Sequence, residues 1–411
     1  MSHRVLLVMR TRTYRARAFL RAAERLGVQV TVATEREQPL AHLARGATVA
    51  LDFADPERAQ AQMRAFAAEH PIEAVVGVDD DTTVLAAQVA AALGLPHNPV
   101  EAVKAARYKD VMRLALSEAE AVLSPAFWLL SFDDDPATFA RKLSYPVVLK
   151  PLSLAASRGV IRADNEDAFV HAFETIASIL ADSELEPDDP GASQILVEAF
   201  IPGVEVALEG LLVDGALTTL ALFDKPDPLD GPYFEETIYV TPSRLPRASQ
   251  REIAEAAQRA ATALGLRSGP VHAELRLNAR GAWIVEVAAR SIGGLCSSTL
   301  RFAGGTSLEE IILRQALGLD LGSLAREQLP AGVMMIPIPA AGVLRQVRGL
   351  EDATAVPGIT SVDITIPRGE RVEPLPRASR YLGFIFAQAE TPAEVERSLR
   401  RAHALLAFDI G

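Results

Sequence analysis

The stretch Pro270-Val-His272-Ala-Glu274-Leu-Arg276-Leu-Asn278-Ala-Arg-Gly281-Ala-Trp-Ile-Val-Glu286-Val-Ala-Ala-Arg290 reads as two largely apolar strands around a turn. Asn278 to Gly281 carries hairpin-turn chemistry, so the two strands are expected to be antiparallel neighbours. Alternation along a strand places His272, Glu274 and Arg276 on one face, and Glu286, Ala288 and Arg290 on one face of the partner. Acids embedded in apolar strand positions are costly to bury unless a cation neutralises them. Hard oxygen ligands of this kind suit magnesium bridging to phosphates, and an ion pair with Arg276 or Arg290 is the structural alternative.

Upstream, Tyr145-Pro-Val-Val-Leu-Lys150-Pro ends a buried strand on a lysine, and Lys109 opens a helix. A lysine so placed can direct its ammonium at phosphate oxygens; it can equally be an ordinary strand-end or surface-helix residue. After Lys150 comes the small-residue loop Leu152-Ser-Leu-Ala-Ala-Ser157-Arg158-Gly159-Val. Its backbone N–H groups can fold over polyphosphate, or the segment can be a plain turn. In Leu196-Val-Glu198-Ala-Phe200-Ile201-Pro-Gly203-Val-Glu205 a strand breaks at Pro202-Gly203, leaving backbone groups free for an adenine edge, with a carboxylate beyond for ribose hydroxyls. An edge-strand bulge is the alternative.

Working outward, residues 1 to about 100 alternate strand and helix: Arg4 to Met9, Arg15 to Leu26, Val28 to Ala33, Pro56 to Glu69, and Ala74 to Val78 before the acidic cluster Asp79, Asp80, Asp81. That pattern implies a parallel sheet covered by helices, with its ligand edge beyond the strand C-termini. The middle, 101–318, is α+β, with a hairpin of Val204 to Val213 and Ala216 to Phe223 around Asp214-Gly215 and a lid subdomain at about 140–203. The segment Asp182 to Asp189 reads as a solvated acidic loop. From 319 to 411 the chain is β-rich and closes on a helix from Pro392 to Leu406. The fold class is therefore multidomain α/β and α+β.

The chain has 411 residues, with 53 acidic against 41 basic and a formal charge of −12. Such a balance opposes non-specific attraction to nucleic acid or anionic lipid, so neither is an expected partner. The single cysteine, Cys296, excludes an internal disulfide and makes a cysteine-based metal site improbable. The apolar run Val5 to Met9 is too brief for a signal-peptide core, and a cytoplasmic location is expected. A homodimer is admitted as an assembly.

In this order, the motifs around Lys109, Lys150, Ser157 to Val160, Val197 to Glu205, His272 to Glu274 and Glu286 to Gly294 resemble the ATP-grasp superfamily, in particular its bacterial L-amino acid ligases. The resemblance implies an ATP-grasp fold and a carboxylate–amine ligase working through an acyl phosphate, with ATP and magnesium as cofactors and manganese as a substitute. It assigns Lys109 and Lys150 to the ATP phosphates, Ser157, Arg158 and Gly159 to a flexible lid, and Glu198, Phe200 and Ile201 to the adenine. Glu205 falls to the ribose, Glu274 and Glu286 to the metal, and Arg290, with Lys150, to stabilising the transferring phosphoryl group. Most of the superfamily has asparagine where this chain has Ala288, which leaves the number of metal ions open. The lid lacks the successive glycines of biotin carboxylases.

The run after Arg290, with Ser291, Gly293, Gly294 and Arg301, is placed to line an acceptor pocket beside His272, and Lys225 is a further phosphate or substrate contact. The partners expected are a small-molecule carboxylate and an amine. Rivals are a carboxylase or formyl-type ligase using a one-carbon acid, and a non-catalytic nucleotide-binding module, which the two retained glutamates disfavour.

Overall fold

The computed structural model describes residues 3–37, 46–183, 185 and 190–411. Most of the acidic loop expected at 182–189 lies outside the described residues.

The N-terminal alternation folds as expected. Four parallel strands stand in the order Thr48–Ala50, Gln29–Thr34, Arg4–Val8, Ala74–Gly77. Val5, Leu6, Leu7 and Val8 are fully buried, as a central parallel strand covered on both faces requires. The helix Ala16–Leu26 packs Phe19, Ala22 and Ala23 inward and ends at Gly27, whose left-handed backbone returns the chain to the sheet. Asp79 to Asp81 follow the last strand directly, at the C-terminal edge of the sheet.

An eight-stranded sheet forms the body of the molecule. Its first strands are Gly281–Ala288, Gly269–Asn278, Val204–Val213, Ala216–Asp224 and Ile238–Thr241, and it continues through Ala331–Ile336, Gly383–Gln388 and Ile359–Ile364. The boundary drawn at 318 is therefore crossed by the ladder, because Ile238–Thr241 pairs with Ala331–Ile336. The helix Arg247–Ala263 covers the first strands with Ile253, Ala256, Ala257 and Ala260, all buried in one core with Leu208, Val271 and Ile284. The closing helix Pro392–Ala404 does the same for the last strands and is followed by a strand, Ala407–Ile410, that the composition did not announce.

A separate four-stranded sheet, in the order Phe127–Ser131, Gln194–Ala199, Val147–Pro151, Ile161–Ala163, packs on the helix Glu166–Ala181. This subdomain starts at 127, before the 140 read from sequence. The chain leaves it at Pro202-Gly203. A Cβ on Gly203 would come within 2.3 Å of the Leu277 carbonyl oxygen, so the crossing onto the large sheet needs a residue without one.

Candidate active site

Two connected cavities lie between the four-stranded subdomain, the large sheet and the C-terminal edge of the parallel sheet. The narrow one, about 100 Å³, is walled by Val148, Phe200, Ile201, Leu229, Phe234 and Ile284, with Lys109, Lys150, Glu274 and Glu286 at its polar end. The wide one, about 660 Å³, shares Leu154 to Ser157, Glu236, Glu274 and Glu286 with it and extends past Arg290 to Asp79, Asp80 and Asp81. Lys109, Lys150, Glu274 and Glu286, dispersed over the chain, thus converge on one space.

Glu274 and Glu286 are direct cross-strand partners, and the register slips just beyond them. Glu286 makes no hydrogen bond or ion pair with a described residue. Glu274 lies 3.2 Å from the Lys225 ammonium and 3.5 Å from His272 Nε2. Two half-buried carboxylates facing one another are a donor set for a hard divalent cation, and the lysines beside them suit its phosphate ligand. The residues present therefore fit a metal–nucleotide pair.

Lys109 opens the helix Lys109–Glu118 and donates 2.7 Å to the carbonyl of Leu154, clasping the small-residue loop. Burial pushes its ammonium pKa down, and the charge of Glu286 opposes that fall. Lys150 is the last residue but one of a wholly buried strand and lies 2.7 Å from Glu198. Glu198 is also 2.5 Å from Arg113, which in turn donates 3.2 Å to the Ile284 carbonyl. Burial disfavours charge on Glu198, yet Arg113 and Lys150 hold its carboxyl down at about 2. Each oxygen of the Glu198 carboxylate is thus engaged, one by Arg113 and one by Lys150, so any contact it makes with an adenine uses its backbone or the second lone pair of those oxygens.

Glu205 is likewise engaged, 2.9 Å from Lys225 and 2.8 Å from Arg276. Lys225 lines neither main cavity. Its buried ammonium sits among Glu205, Glu236 and Glu274, three carboxylates with oxygens close enough to hold a metal ion. Burial works against its charge, and those three acids raise its pKa well above the ordinary value. The Phe200 ring is flanked by the guanidinium groups of Arg162 and Arg276, at 4.3 and 4.9 Å. Arg276 also takes the Ile201 carbonyl, at 2.9 Å.

In the loop, Ser157 and Arg158 line the cavities, whereas Gly159 packs against Pro151 and donates 2.9 Å to the Pro376 carbonyl. Of the run after Glu286, Arg290, Gly293 and Gly294 line the wide cavity together with His272. Ser291 is buried behind them, accepting from Arg15. Arg301 is exposed, donates 2.8 Å to the Leu300 carbonyl and is on neither cavity wall. Its place at the end of a short turn, rather than on an inward helix face, turns it away.

Sequence reasoning missed several wall residues. Arg10, Tyr14 and Arg15 come from the loop after the first strand, and Tyr239, Ser379 and Tyr381 from the second half of the large sheet and its loops. Arg113 gave no signal, since nothing local marks a helix arginine as buried. Asp79 to Asp81 did carry one, standing at the ligand edge of a parallel sheet. Asp80 lies 2.6 Å from Arg290. Burial opposes its ionisation, but Arg290 holds its carboxyl well below the ordinary range.

Family models match the chain at residues 143–299 (ATP-grasp domain), 20–97 (ATP-grasp N-terminal domain) and 334–411 (L-amino acid ligase C-terminal domain 2). Among curated proteins, it is 27% identical over 252 residues to alanine–anticapsin ligase of Bacillus subtilis (strain 168), covering 58% of this chain and 50% of that one. It is 29% identical over 293 residues to carnosine synthase 1 of Gallus gallus, covering 66% and 31% respectively. The chain thus spans about half the length, or less, of these relatives. The crystal structure of an L-amino acid ligase from Bacillus licheniformis superposes with a TM-score of 0.82 at 26% identity, covering 100% of this chain and 99% of the other. Among the described residues, no helix is long and apolar enough to cross a membrane. With the ATP-grasp N-terminal, ATP-grasp and L-amino acid ligase C-terminal models matching in succession, and a solved L-amino acid ligase superposing over the chain, the protein belongs to the ATP-grasp superfamily and carries the C-terminal domain of the L-amino acid ligases.

Proposed function

We propose that the protein is an ATP- and magnesium-dependent ligase that joins the carboxylate of one amino acid to the amine of another. The observation that carries this reading is the direct pairing of Glu274 with Glu286 at the junction of a narrow apolar cavity and a wide polar one, with Lys109 and Lys150 alongside. The narrow cavity takes the adenine against Phe200 and Ile201, and the wide cavity takes the acid and the amine. ATP held with magnesium would phosphorylate the carboxylate, releasing ADP, and the acyl phosphate so formed would lose inorganic phosphate when the amine attacks its carbonyl carbon; manganese is expected to substitute.

The chain's own groups do the rest by positioning and charge. Lys109 and Lys150 neutralise phosphate oxygens, Lys150 held in place by Glu198. Arg290, fixed by Asp80, presents its guanidinium to the oxyanion that develops at the reacting carboxyl. Leu154 to Arg158 cover the cleft and keep water from an activated acid. Glu205 is assigned to the ribose and His272 with Gly293 and Gly294 to the substrates. A wide cavity lined by both acids and arginines suits zwitterions better than a one-carbon acid.

The deciding measurement is ADP release over a matrix of amino acid pairs with magnesium and ATP, with products identified by mass. Stimulation by pairs, accompanied by a product lighter than the two substrates by one water, supports the reading. Turnover driven by bicarbonate or formate alone would replace it with the one-carbon reading.

A further inference from the structure

Five arginines line the wide cavity, and the structure separates them into two kinds. Three are already committed. Arg10 lies 2.5 Å from Asp81, Arg290 lies 2.6 Å from Asp80, and Arg15 donates to the Val78 carbonyl and the Ser291 hydroxyl. The side chains of the other two, Arg107 and Arg158, form no hydrogen bond or ion pair with any described residue, and the Arg158 Nε is itself buried. Arg107 closes the helix Val100–Arg107 and is half-buried at the cavity wall. It precedes Lys109 by two residues and shares the wall of the wide cavity with Asp80 and Arg290.

A half-buried guanidinium without a counter-charge loses part of its hydration and gains nothing in return, so an unpaired one on a cavity wall is a waiting site for an anion. In amide formation from two amino acids one carboxylate is consumed and the other survives into the product. Arg290 is taken up with Asp80 at the reacting end. We propose that Arg107, opposed by Arg158 from the covering loop, binds an oxyanion on the substrate side of the cleft, and that this oxyanion is the spare carboxylate of the amine substrate, the acyl phosphate being the other source of the same chemistry. Arg107 is thus a specificity residue that favours an amine substrate bearing a free acid. The inference rests on the ligase reading above.

The test compares the wild type with Arg107→Gln and Arg107→Lys, using the amino acid that most stimulates ADP formation, as its free acid and as its amide. Wild type should prefer the acid, and Arg107→Gln should raise KM for the acid by on the order of tenfold or more while leaving KM for the amide unchanged, with Arg107→Lys between. The affinity for a non-hydrolysable ATP analogue should stay within about twofold. A fall in kcat with the acid-to-amide ratio kept assigns the oxyanion to the acyl phosphate. Unchanged kinetics, or a loss confined to nucleotide affinity, overturns the proposal. Should no amino acid pair consume ATP, the ligase reading falls by itself. Calorimetric titration of nucleotide-loaded wild type and Arg107→Gln with inorganic phosphate then judges Arg107 alone: weaker binding by the variant supports its role as an anion site, and equal binding removes it.

Discussion

The Asp80 carboxylate meets the Arg290 guanidinium at 2.6 Å although 210 residues separate them in the chain. The pair ties the acidic edge of the N-terminal sheet to the strand end that carries Glu286. Since both side chains are largely buried, removing one partner leaves the other with an uncompensated charge. Asp80→Asn should therefore lower unfolding stability by about 2 kcal/mol and reduce kcat more than the KM for ATP, measured by denaturant titration and steady-state ADP release. Wild-type kinetics in a destabilised variant would reduce the pair to a structural tie.

Lys225 is the internal counter-ion of Glu205, Glu236 and Glu274, and its replacement tests what that cluster can do. Lys225→Met should destabilise by about 3–5 kcal/mol, since Glu236 and Glu274 then lose their cation and Glu205 is left with Arg276 alone. Millimolar calcium or magnesium should recover part of the lost melting temperature, because the three acids can gather around a divalent ion. Thermal unfolding with and without the metal reads both effects, and a variant indifferent to divalent ions would show that the acids separate instead.

Glu286 has no partner among the described residues, so Glu286→Gln should change stability by less than about 0.5 kcal/mol. Its effect belongs to the chemistry. ADP formation should fall on the order of a hundredfold, with a raised magnesium requirement, measured across a metal titration.

Glu198 makes the acid side of the stability profile predictable. Its folded-state carboxyl, at about 2, lies below the unfolded value of about 4.3, so its contribution is complete above about pH 4.3 and is lost as pH falls towards 2. Glu198→Gln should flatten that part of the profile, by on the order of 3 kcal/mol, in acid unfolding followed by circular dichroism. An unchanged slope would locate the acid sensitivity elsewhere.

Local pattern revealed what local physics decides. The alternation of Val5 to Val8, Ala16 to Leu26 and Ala74 to Gly77 gave the parallel sheet, and turn residues at Asp214-Gly215 and Asn278 to Gly281 gave both hairpins. The gathering of Lys109, Lys150, Glu274 and Glu286 was expected from the order of motifs that resembles the ATP-grasp superfamily; read singly, each residue left an ordinary strand, helix or ion-pair role open. Side-chain partnerships were not legible. Lys225 as counter-ion, Arg113 beneath Glu198 and the outward turn of Arg301 depend on contacts far apart in sequence, which no spacing encodes. The Asp79 to Asp81 cluster lies between these cases, its edge position legible and its arginine partners hidden.

The shared ladder also sets how this protein can be recombined with its relatives. Ala331–Ile336 is hydrogen-bonded to Ile238–Thr241 on one side and Gly383–Gln388 on the other, and the C-terminal family match begins at residue 334, inside that strand. A chimera joined there would splice two parents within one strand and mismatch the seam. Crossover points belong in the irregular stretch 319–330, and even then the graft inherits Ile238, Tyr239, Val240 and Thr241 as its neighbours, so compatibility with that one strand governs whether an exchanged tail folds.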